Sequence, residues 1–200
     1  MPPHPHLCVL GSPRAFQEPE DDGALTPGKP LAALCFLALE KSRVTRDDLG
    51  AVLWPGVPQK RSRASVRQTL WVLRKELGSE AVTEENGELL CTETLTTDLD
   101  ELAAELADGE LEAAWSRWAG GPFHAFTVPD APRWNAWAER VRERWERRFG
   151  EVLEAHAATR EGEERLRWLE RAREVRPYRE SVHAALVEAH LHERRLEDAE

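Results

Sequence analysis

The chain has 200 residues, of which 32% are charged and 41% hydrophobic, a composition typical of a soluble globular protein. The longest apolar stretch, residues 31–39, is too short to cross a bilayer, and the first six residues lack the pattern of a secretory signal. We therefore expect a cytoplasmic protein without membrane contact. Cys8, Cys35 and Cys91 stand singly, which favours buried free thiols over a disulfide or a metal site.

The net charge of −10 is unevenly distributed along the chain. Residues 1–96 carry 11 Lys+Arg and 13 Asp+Glu, a net of −2, whereas residues 97–200 carry the remaining 16 and 24, a net of −8. The stretch 60–75 contains six cations and no acid. Since salt screens exposed charges beyond about 8–10 Å, this local patch can contact phosphate although the whole chain is acidic.

The first predicted elements are a strand and an apolar helix. Residues 7–10 form a short apolar run that ends at a Gly-Ser-Pro turn, which predicts a buried strand. Residues 17–28 are acidic and rich in turn formers, which indicates a loop or an irregular hairpin. Residues 30–40 read as a helix that is apolar on all sides, so we expect it at the centre of a domain.

Two further helices follow. Thr45 can cap the helix predicted over residues 47–54, which stops at Pro55. After a short loop, a long helix is predicted over residues 60–77, with Gly78 as its C-terminal stop.

A hairpin completes this region. The strand-like residues 81–83 and 89–91 flank an Asn86-Gly87 pair, which is the strongest short hairpin signal. The order strand, three helices and hairpin is that of a winged helix. We therefore predict an α+β winged-helix domain over residues 1–96.

From residue 97 the pattern is helical. Residues 97–200 are predicted to form an all-α, TPR-like helical-repeat domain, because helices joined by short turns resemble helical hairpins of about 34 residues. Helices are predicted at 98–107, 111–118, 131–158, 163–175, 178–192 and from 194 onward. Residues 196–200 would lie inside the second helix of a hairpin, so we expect a longer parent protein.

Tryptophans mark the core of this helical half. Trp134 and Trp137 share a helix face with Val141 and Trp145, which indicates a core stripe rather than a ligand cage.

The helix predicted over residues 60–77 has two contrasting faces. At about 100° per residue, Val66, Leu70, Leu73 and Leu77 form one narrow apolar seam that would pack on the core. The opposite face and its flank carry cations, an amide and a tryptophan, the side chains that bind phosphates and base edges. We therefore predict a DNA-reading helix.

The predicted roles divide the side chains of this helix into two groups. Those expected mainly at phosphates are Lys60, Arg61, Arg63, Arg74 and Lys75. Those expected at base edges are Arg67, Gln68, Trp71 and Val72. The acidic tip of the hairpin, residues 84–88, opposes this prediction, because a wing that enters the minor groove usually carries Arg or Lys.

Several short motifs together resemble SARP-type bacterial transcription regulators. In the N-terminal half they are GKPLAAL at 28–34, VTRDDL at 44–49, LWP at 53–55, RASVRQTL at 63–70 and LRKELG at 73–78. In the C-terminal half they are GPF at 121–123 with Phe126, followed by Trp134 and Trp137. The resemblance runs from about Leu7 to the last residue.

The resemblance implies an OmpR-like winged helix followed by a bacterial transcriptional activator domain of TPR-like helices. It further implies sequence-specific binding to double-stranded promoter DNA, a homodimer on direct repeats, and recruitment of RNA polymerase. The acidic hairpin tip and Val72 depart from the usual pattern. No cofactor or small-molecule ligand is implied.

Two other functions remain open. The first is a protein-interaction module whose winged helix does not bind DNA, which the acidic tip and the net charge of −8 over residues 97–200 favour. A nucleotide-dependent sensor whose ATPase part lies outside this sequence is a weaker alternative. No phosphate loop, GxSxG or HExxH motif is present, so we do not expect an enzyme.

Overall fold

The computed structural model describes residues 5–17, 25–40 and 43–197. Most of the loop or hairpin predicted over residues 17–28 lies outside these ranges, and so do the last three residues of the predicted final helix. The chain divides into two compact units, residues 1–140 and 141–200. No helix in the described ranges combines the length and the apolar character that a membrane crossing requires.

The N-terminal part of the first unit has the predicted order of elements. It contains the strand β1 (His6–Cys8), the helices α1 (Lys29–Leu39), α2 (Arg46–Leu53) and α3 (Gln59–Leu77), and the hairpin of β4 (Val82–Glu85) and β5 (Glu88–Cys91). This order is compatible with a winged helix. Three short strands were not predicted, namely β2 (Arg14–Phe16), β3 (Val44–Thr45) and β6 (Thr96–Thr97).

These strands form two small sheets. The first has the order β2-β1-β6, in which β1 pairs antiparallel with β2 and parallel with β6. The second is antiparallel with the order β3-β5-β4. Through β3, the residues just before α2 lie beside the second strand of the hairpin.

α1 lies in the core, as its apolar composition predicts. Every residue from 31 to 37 is buried. The indole Nε1 of Trp134 donates a 2.9 Å hydrogen bond to the backbone carbonyl of Ala32, and the ring of Trp137 lies edge-on to Phe36 with centroids 4.9 Å apart. Burial around its whole circumference explains why α1 shows no polar face.

α2 begins at the predicted cap. The Thr45 hydroxyl accepts from the backbone N–H of Asp48, and the Asp48 carboxylate accepts from the backbone N–H of Thr45. This reciprocal capping box satisfies two backbone donors that the first helical turn leaves free. α2 then packs closely on α3, because Gly50 leaves no side chain between the two helices: a Cβ there would lie 2.5 Å from Ser62 Oγ.

The hairpin turn also follows the prediction. Glu85 pairs with Glu88 across a two-residue loop. The loop residues Asn86 and Gly87 have φ angles of 53° and 83°. Asn and Gly tolerate this left-handed backbone, and a turn of this kind matches the twist of the two strands.

The rest of the first unit contains α4 (Asp98–Asp108), α5 (Leu111–Arg117) and the beginning of α6 (Pro132–Ala157). The buried carboxylate of Asp98 accepts from the backbone N–H groups of Val9 and Leu10 at 2.9–3.0 Å, which ties α4 to the end of β1. Residues beyond 97 therefore contribute to the same core as α1. The boundary between two functional domains at residue 96/97 stays a prediction, since a functional domain and a compact unit need not coincide.

The second unit contains the remainder of α6, α7 (Gly162–Val175) and α8 (Glu180–Glu197). α7 and α8 pack against each other through buried seams that the sequence places correctly, among them Leu169, Ala172, Val182 and Leu186. The predicted interruption before residue 194 is wrong, because α8 runs unbroken to Glu197. The sequence holds no glycine or proline there, so nothing local ends the helix.

Candidate nucleic-acid interface

α3 presents the two faces that its sequence predicts. Val66, Thr69, Leu70, Leu73 and Leu77 are buried on one side. The predicted site residues lie on the other side or along its flanks. Exposed are Lys60, Arg61, Arg63, Arg67, Gln68, Trp71 and Lys75, whereas Val72 and Arg74 are half-buried.

Three cations near the N-terminal half of α3 are open to solvent. Lys60, Arg61 and Arg67 have no acidic partner among the residues that the structure describes. Together with Gln59, Arg63 and Ala64 they line a shallow depression. Because no described acid pairs with these cations, the depression has a positive local charge, which suits an anion such as a phosphate.

Arg63 is held by a carboxylate. Its Nε donates to Asp47 Oδ1 at 2.9 Å and its Nη2 to Asp47 Oδ2 at 2.8 Å, so one edge of the guanidinium is paired from α2. The Gln59 amide donates to the same carboxylate at 3.3 Å. The hydrogen bonds from Arg63 lower the pKa of the Asp47 carboxyl below its ordinary value of 3.8.

Arg74 contacts the hairpin. Its Nε donates a 2.8 Å hydrogen bond to the backbone carbonyl of Val82, the first residue of β4. This donor is thus used to attach the hairpin to α3. Arg74 therefore has a structural contact that the sequence did not predict. Its predicted contact with a phosphate stays a prediction.

Trp71 and Lys75 form a pair on the exposed face. Trp71 remains 55% exposed, which is unusual for an indole. The Nζ of Lys75 lies 5.7 Å from the centroid of the Trp71 ring, within cation–π range, and 2.9 Å from a carboxylate oxygen of Glu76.

Two of the three acids at the tip of the hairpin, Glu84 and Glu88, pair with arginines of the protein. Arg46 donates from Nε to both carboxylate oxygens of Glu84 at 3.0 Å, and Arg43 donates from Nη1 to Glu88 at 3.0 Å. The sequence analysis missed these two arginines. No local signal in the sequence points to them, because the pairing of Thr45 with Glu88, which belong to different elements, places residues 43 and 46 beside the acidic tip.

Glu84 and Glu88 therefore do not present free negative charge at the tip. The pKa of the Glu84 carboxyl is lowered from its ordinary value of 4.5, chiefly by its hydrogen bonds from Arg46. Glu85 is the remaining acid of the tip and is exposed. The objection that the acidic tip raises against DNA binding is correspondingly smaller.

Of the three cysteines that the sequence predicts to be buried, Cys35 is buried, whereas Cys8 and Cys91 are half-buried. Burial raises the pKa of Cys8 to about 11 and that of Cys91 to about 12, and it raises the pKa of the fully buried Cys35 well above 9.0. All three are free. Within residues 5–17, 25–40 and 43–197, no three His, Cys, Asp or Glu side chains come together as a metal site would require.

The order of elements and the two sheets define a fold that is found in the SARP family of regulators. It is seen in the structure of Mycobacterium tuberculosis EmbR in complex with low affinity phosphopeptide, which aligns with a TM-score of 0.71. The alignment has 23% sequence identity and covers 98% of this chain and 57% of the EmbR chain, so this chain spans little more than half of that protein. No protein-family model and no curated protein sequence matches the chain.

The likeness to EmbR shows the fold. EmbR is a SARP-family regulator. The phosphopeptide is a ligand of EmbR, and at 23% identity the likeness alone does not carry it over to this chain.

Proposed function

We propose that this chain is a SARP-type transcription regulator that binds double-stranded DNA with the exposed face of α3. The observation that carries the proposal is the group of cations on that face, Lys60, Arg61 and Arg67, which have no acidic partner among the described residues. α3 is anchored by its buried seam and held by α2 and the hairpin. A rigid helix with free cations can neutralise phosphates and enter the major groove.

Within this proposal the hairpin is the wing of a winged helix, and residues 97–200 form the TPR-like domain. Gln68 and Trp71 lie in the middle of the exposed face, where Gln can bond adenine and an indole can contact a thymine methyl. Val72 is half-buried and contributes an apolar contact at most. RNA polymerase, and a second copy of the chain on direct repeats, are the proposed partners of the bound protein.

A salt series tests DNA binding. The dissociation constant of a fluorescent duplex is measured by anisotropy at several salt concentrations, for the wild type and for the Lys60→Ala, Arg61→Ala, Arg67→Ala triple variant. Loss of the two predicted phosphate contacts, those of Lys60 and Arg61, reduces the log–log slope by about 1.8, at about 0.9 per contact. A reduction of about 2.7 would show that Arg67 contacts a phosphate as well, instead of a base edge.

The matched control removes the same charge elsewhere. Arg140, Arg144 and Arg147 are exposed on α6, and their replacement by Ala leaves α3 intact. This control should keep the wild-type slope. Equal slopes for both triple variants, or a wild type without salt-dependent binding, would refute the proposal.

Random-site selection followed by sequencing identifies the bound sequence. Gln68→Ala should then change the preferred base at one position, whereas Lys75→Ala should weaken all duplexes alike. The symmetry of the selected site distinguishes direct repeats from a palindrome and so tests the proposed homodimer.

A protein-interaction module is the second candidate. It is favoured by the hairpin, whose acids bind Arg46 and Arg43 instead of leaving those arginines free for phosphate. The net of −8 over residues 97–200 also favours a protein partner. A flat salt response, with binding to RNA polymerase retained, would support this candidate over the first.

A further inference from the structure

We infer that Arg63, held by Asp47, reads a guanine base edge and does not serve as a phosphate contact. The inference rests on the proposed function and specifies how the same face of α3 selects its sequence. It differs from the sequence-based expectation, which groups Arg63 with the phosphate contacts.

The argument begins with the geometry of the guanidinium. Arginine has five N–H donors in one plane, arranged along two edges that can each form a pair of parallel hydrogen bonds. In Arg63 the edge of Nε and Nη2 is bound to the two oxygens of Asp47, at 2.9 and 2.8 Å. The edge of Nη1 and Nη2 keeps its outward donors, and no described residue accepts from Nη1.

The remaining edge matches guanine. Guanine O6 and N7 are two acceptors on the major-groove side, and arginine binds them with two parallel N–H groups. Asp47 fixes the plane of the guanidinium before DNA is bound. A flexible arginine would lose side-chain entropy when it takes up this orientation on binding, and Arg63 is spared that loss. A fixed plane favours a directional acceptor pair.

The charge balance disfavours phosphate. The carboxylate of Asp47 lies against Arg63 and neutralises it locally, so the pair attracts a phosphate less than Arg67 or Lys60 does. A guanine edge is neutral, and its hydrogen bonds do not depend on a net positive charge. Asp47 therefore acts as a positioning residue that makes Arg63 selective.

The position in the helix agrees with this role. Arg63 is the fifth residue of α3, and residues near the N-terminus of a recognition helix contact base edges. Both side chains are accessible, with 58% of Arg63 and 49% of Asp47 exposed. Arg63 and Asp47 also line a depression between α2, α3 and the hairpin.

The test compares two duplexes of equal length, the one obtained by random-site selection and a scrambled version. Asp47→Asn removes the charge and the two-point support of Arg63. Glu85→Gln, on the exposed hairpin tip, removes one negative charge without touching Arg63 and is the matched control. Both variants should bind the scrambled duplex slightly more tightly, because one repulsive charge is lost.

Of these two variants, Asp47→Asn alone should lower the ratio of the affinity for the selected duplex to the affinity for the scrambled duplex. The expected reduction is about tenfold, which corresponds to one good bidentate base contact. Arg63→Ala should lower the ratio similarly and relax the preference for guanine at one position. The salt slope of Arg63→Ala on the scrambled duplex should equal that of the wild type.

Three results would overturn the inference while leaving the proposed function intact. They are an unchanged ratio for Asp47→Asn, an unchanged base preference for Arg63→Ala, and a slope reduced by about 0.9 in Arg63→Ala, which marks a phosphate contact. If the wild type binds no duplex, the proposed function fails and the inference fails with it.

A measurement on the protein without DNA tests whether Asp47 holds Arg63 in place. In the wild type, the ¹H–¹⁵N resonance of Arg63 Nε should be protected from exchange by its bond to Asp47. Asp47→Asn should lose this protection, and Glu85→Gln should keep it. Protection that persists in Asp47→Asn would overturn the positioning role even if DNA binding is unchanged.

Discussion

Arg46, the first residue of α2, donates from Nε to both carboxylate oxygens of Glu84, the third residue of β4, at 3.0 Å each. This ion pair joins the start of α2 to the hairpin across 38 positions of sequence. It uses a cation that lies beside the proposed DNA-binding face, so Glu84 competes with phosphate for Arg46.

The first prediction concerns this competition. Glu84→Gln should release Arg46 for a phosphate, so duplex affinity should rise and the salt slope should become steeper by about 0.9. The free energy of unfolding should fall by less than about 1 kcal/mol, since exposed ion pairs contribute little. Anisotropy titrations and urea denaturation measure the two effects.

Glu85→Gln is the control for Glu84→Gln. It removes the same charge from an exposed residue at the tip, and it should raise affinity with an unchanged slope. Identical slopes for the two variants would show that Arg46 does not reach DNA.

The second prediction concerns the close approach of α2 and α3. Gly50→Ala places a Cβ 2.5 Å from Ser62 Oγ. The Ser62 hydroxyl can turn away by a change of rotamer, and Ala favours a helix by up to about 1 kcal/mol, so we expect a net loss of stability of less than about 1 kcal/mol. Urea denaturation measures the loss.

A double variant isolates the cause. Ser62→Ala removes the oxygen and leaves the Ser62 Cβ position 3.8 Å from the new methyl group, an ordinary contact. Gly50→Ala with Ser62→Ala should therefore be more stable than Ser62→Ala alone, by up to about 1 kcal/mol, the helix preference of Ala over Gly. If the double variant loses as much as Gly50→Ala, the clash is not with Ser62.

The third prediction concerns truncation. A fragment of residues 1–96 should not unfold cooperatively, because it lacks Asp98, which binds two backbone N–H groups at the end of β1, and Trp134, which packs against α1. A fragment of residues 1–140 contains both and should show a cooperative transition by circular dichroism. Cooperative unfolding of the shorter fragment would contradict this account of the core.

The fourth prediction concerns the thiols. With the pKa of Cys8 raised to about 11, only about one thiol in a thousand is ionised at pH 8, against about one in ten at the ordinary value of 9.0. Alkylation of Cys8 by iodoacetamide should be about 100-fold slower in the folded protein than in the urea-unfolded chain. Mass spectrometry of the labelled peptides gives the rates.

The raised pKa values also set a dependence of stability on pH. The pKa of each thiol is higher in the folded state than the unfolded value of 9.0, so the unfolded chain loses its thiol proton first as the pH rises. The contribution to stability is therefore complete below pH 9 and is lost as the pH rises through about 11 for Cys8 and about 12 for Cys91. Cys8→Ser and Cys91→Ser should each flatten this decline. An unchanged decline would assign it to other groups.

Local signals in the sequence predicted the elements that local interactions form. The Thr45 cap, the Asn86-Gly87 turn and the faces of α3 each depend on neighbours within a few residues, and all are present in the structure. The core position of α1 followed from its uniform apolar character. The exposed cations of α3 were predicted for the same reason, since the helical period alone sets its faces.

Contacts between distant residues were not predicted. The parallel pairing of β1 with β6 and the binding of Asp98 to Val9 join residues about 90 positions apart, and no local pattern encodes them. The pairs of Arg46 with Glu84 and of Arg63 with Asp47 depend on which elements pack together. The break predicted before residue 194 was wrong, since no glycine or proline interrupts the local helix signal there.

Because Glu84 and Glu88 pair with Arg46 and Arg43, the hairpin adds no unpaired cation to the proposed DNA-binding face, and the cations available there are those of α3. We expect each copy of such a domain to bind one major groove with few contacts from the hairpin to the adjacent minor groove. A single isolated site should therefore be bound only weakly. Tight occupancy would then require neighbouring targets in phase with the duplex, about 10 base pairs apart or a multiple of it. The spacing of targets along a promoter, more than the quality of any one of them, would decide where this protein resides.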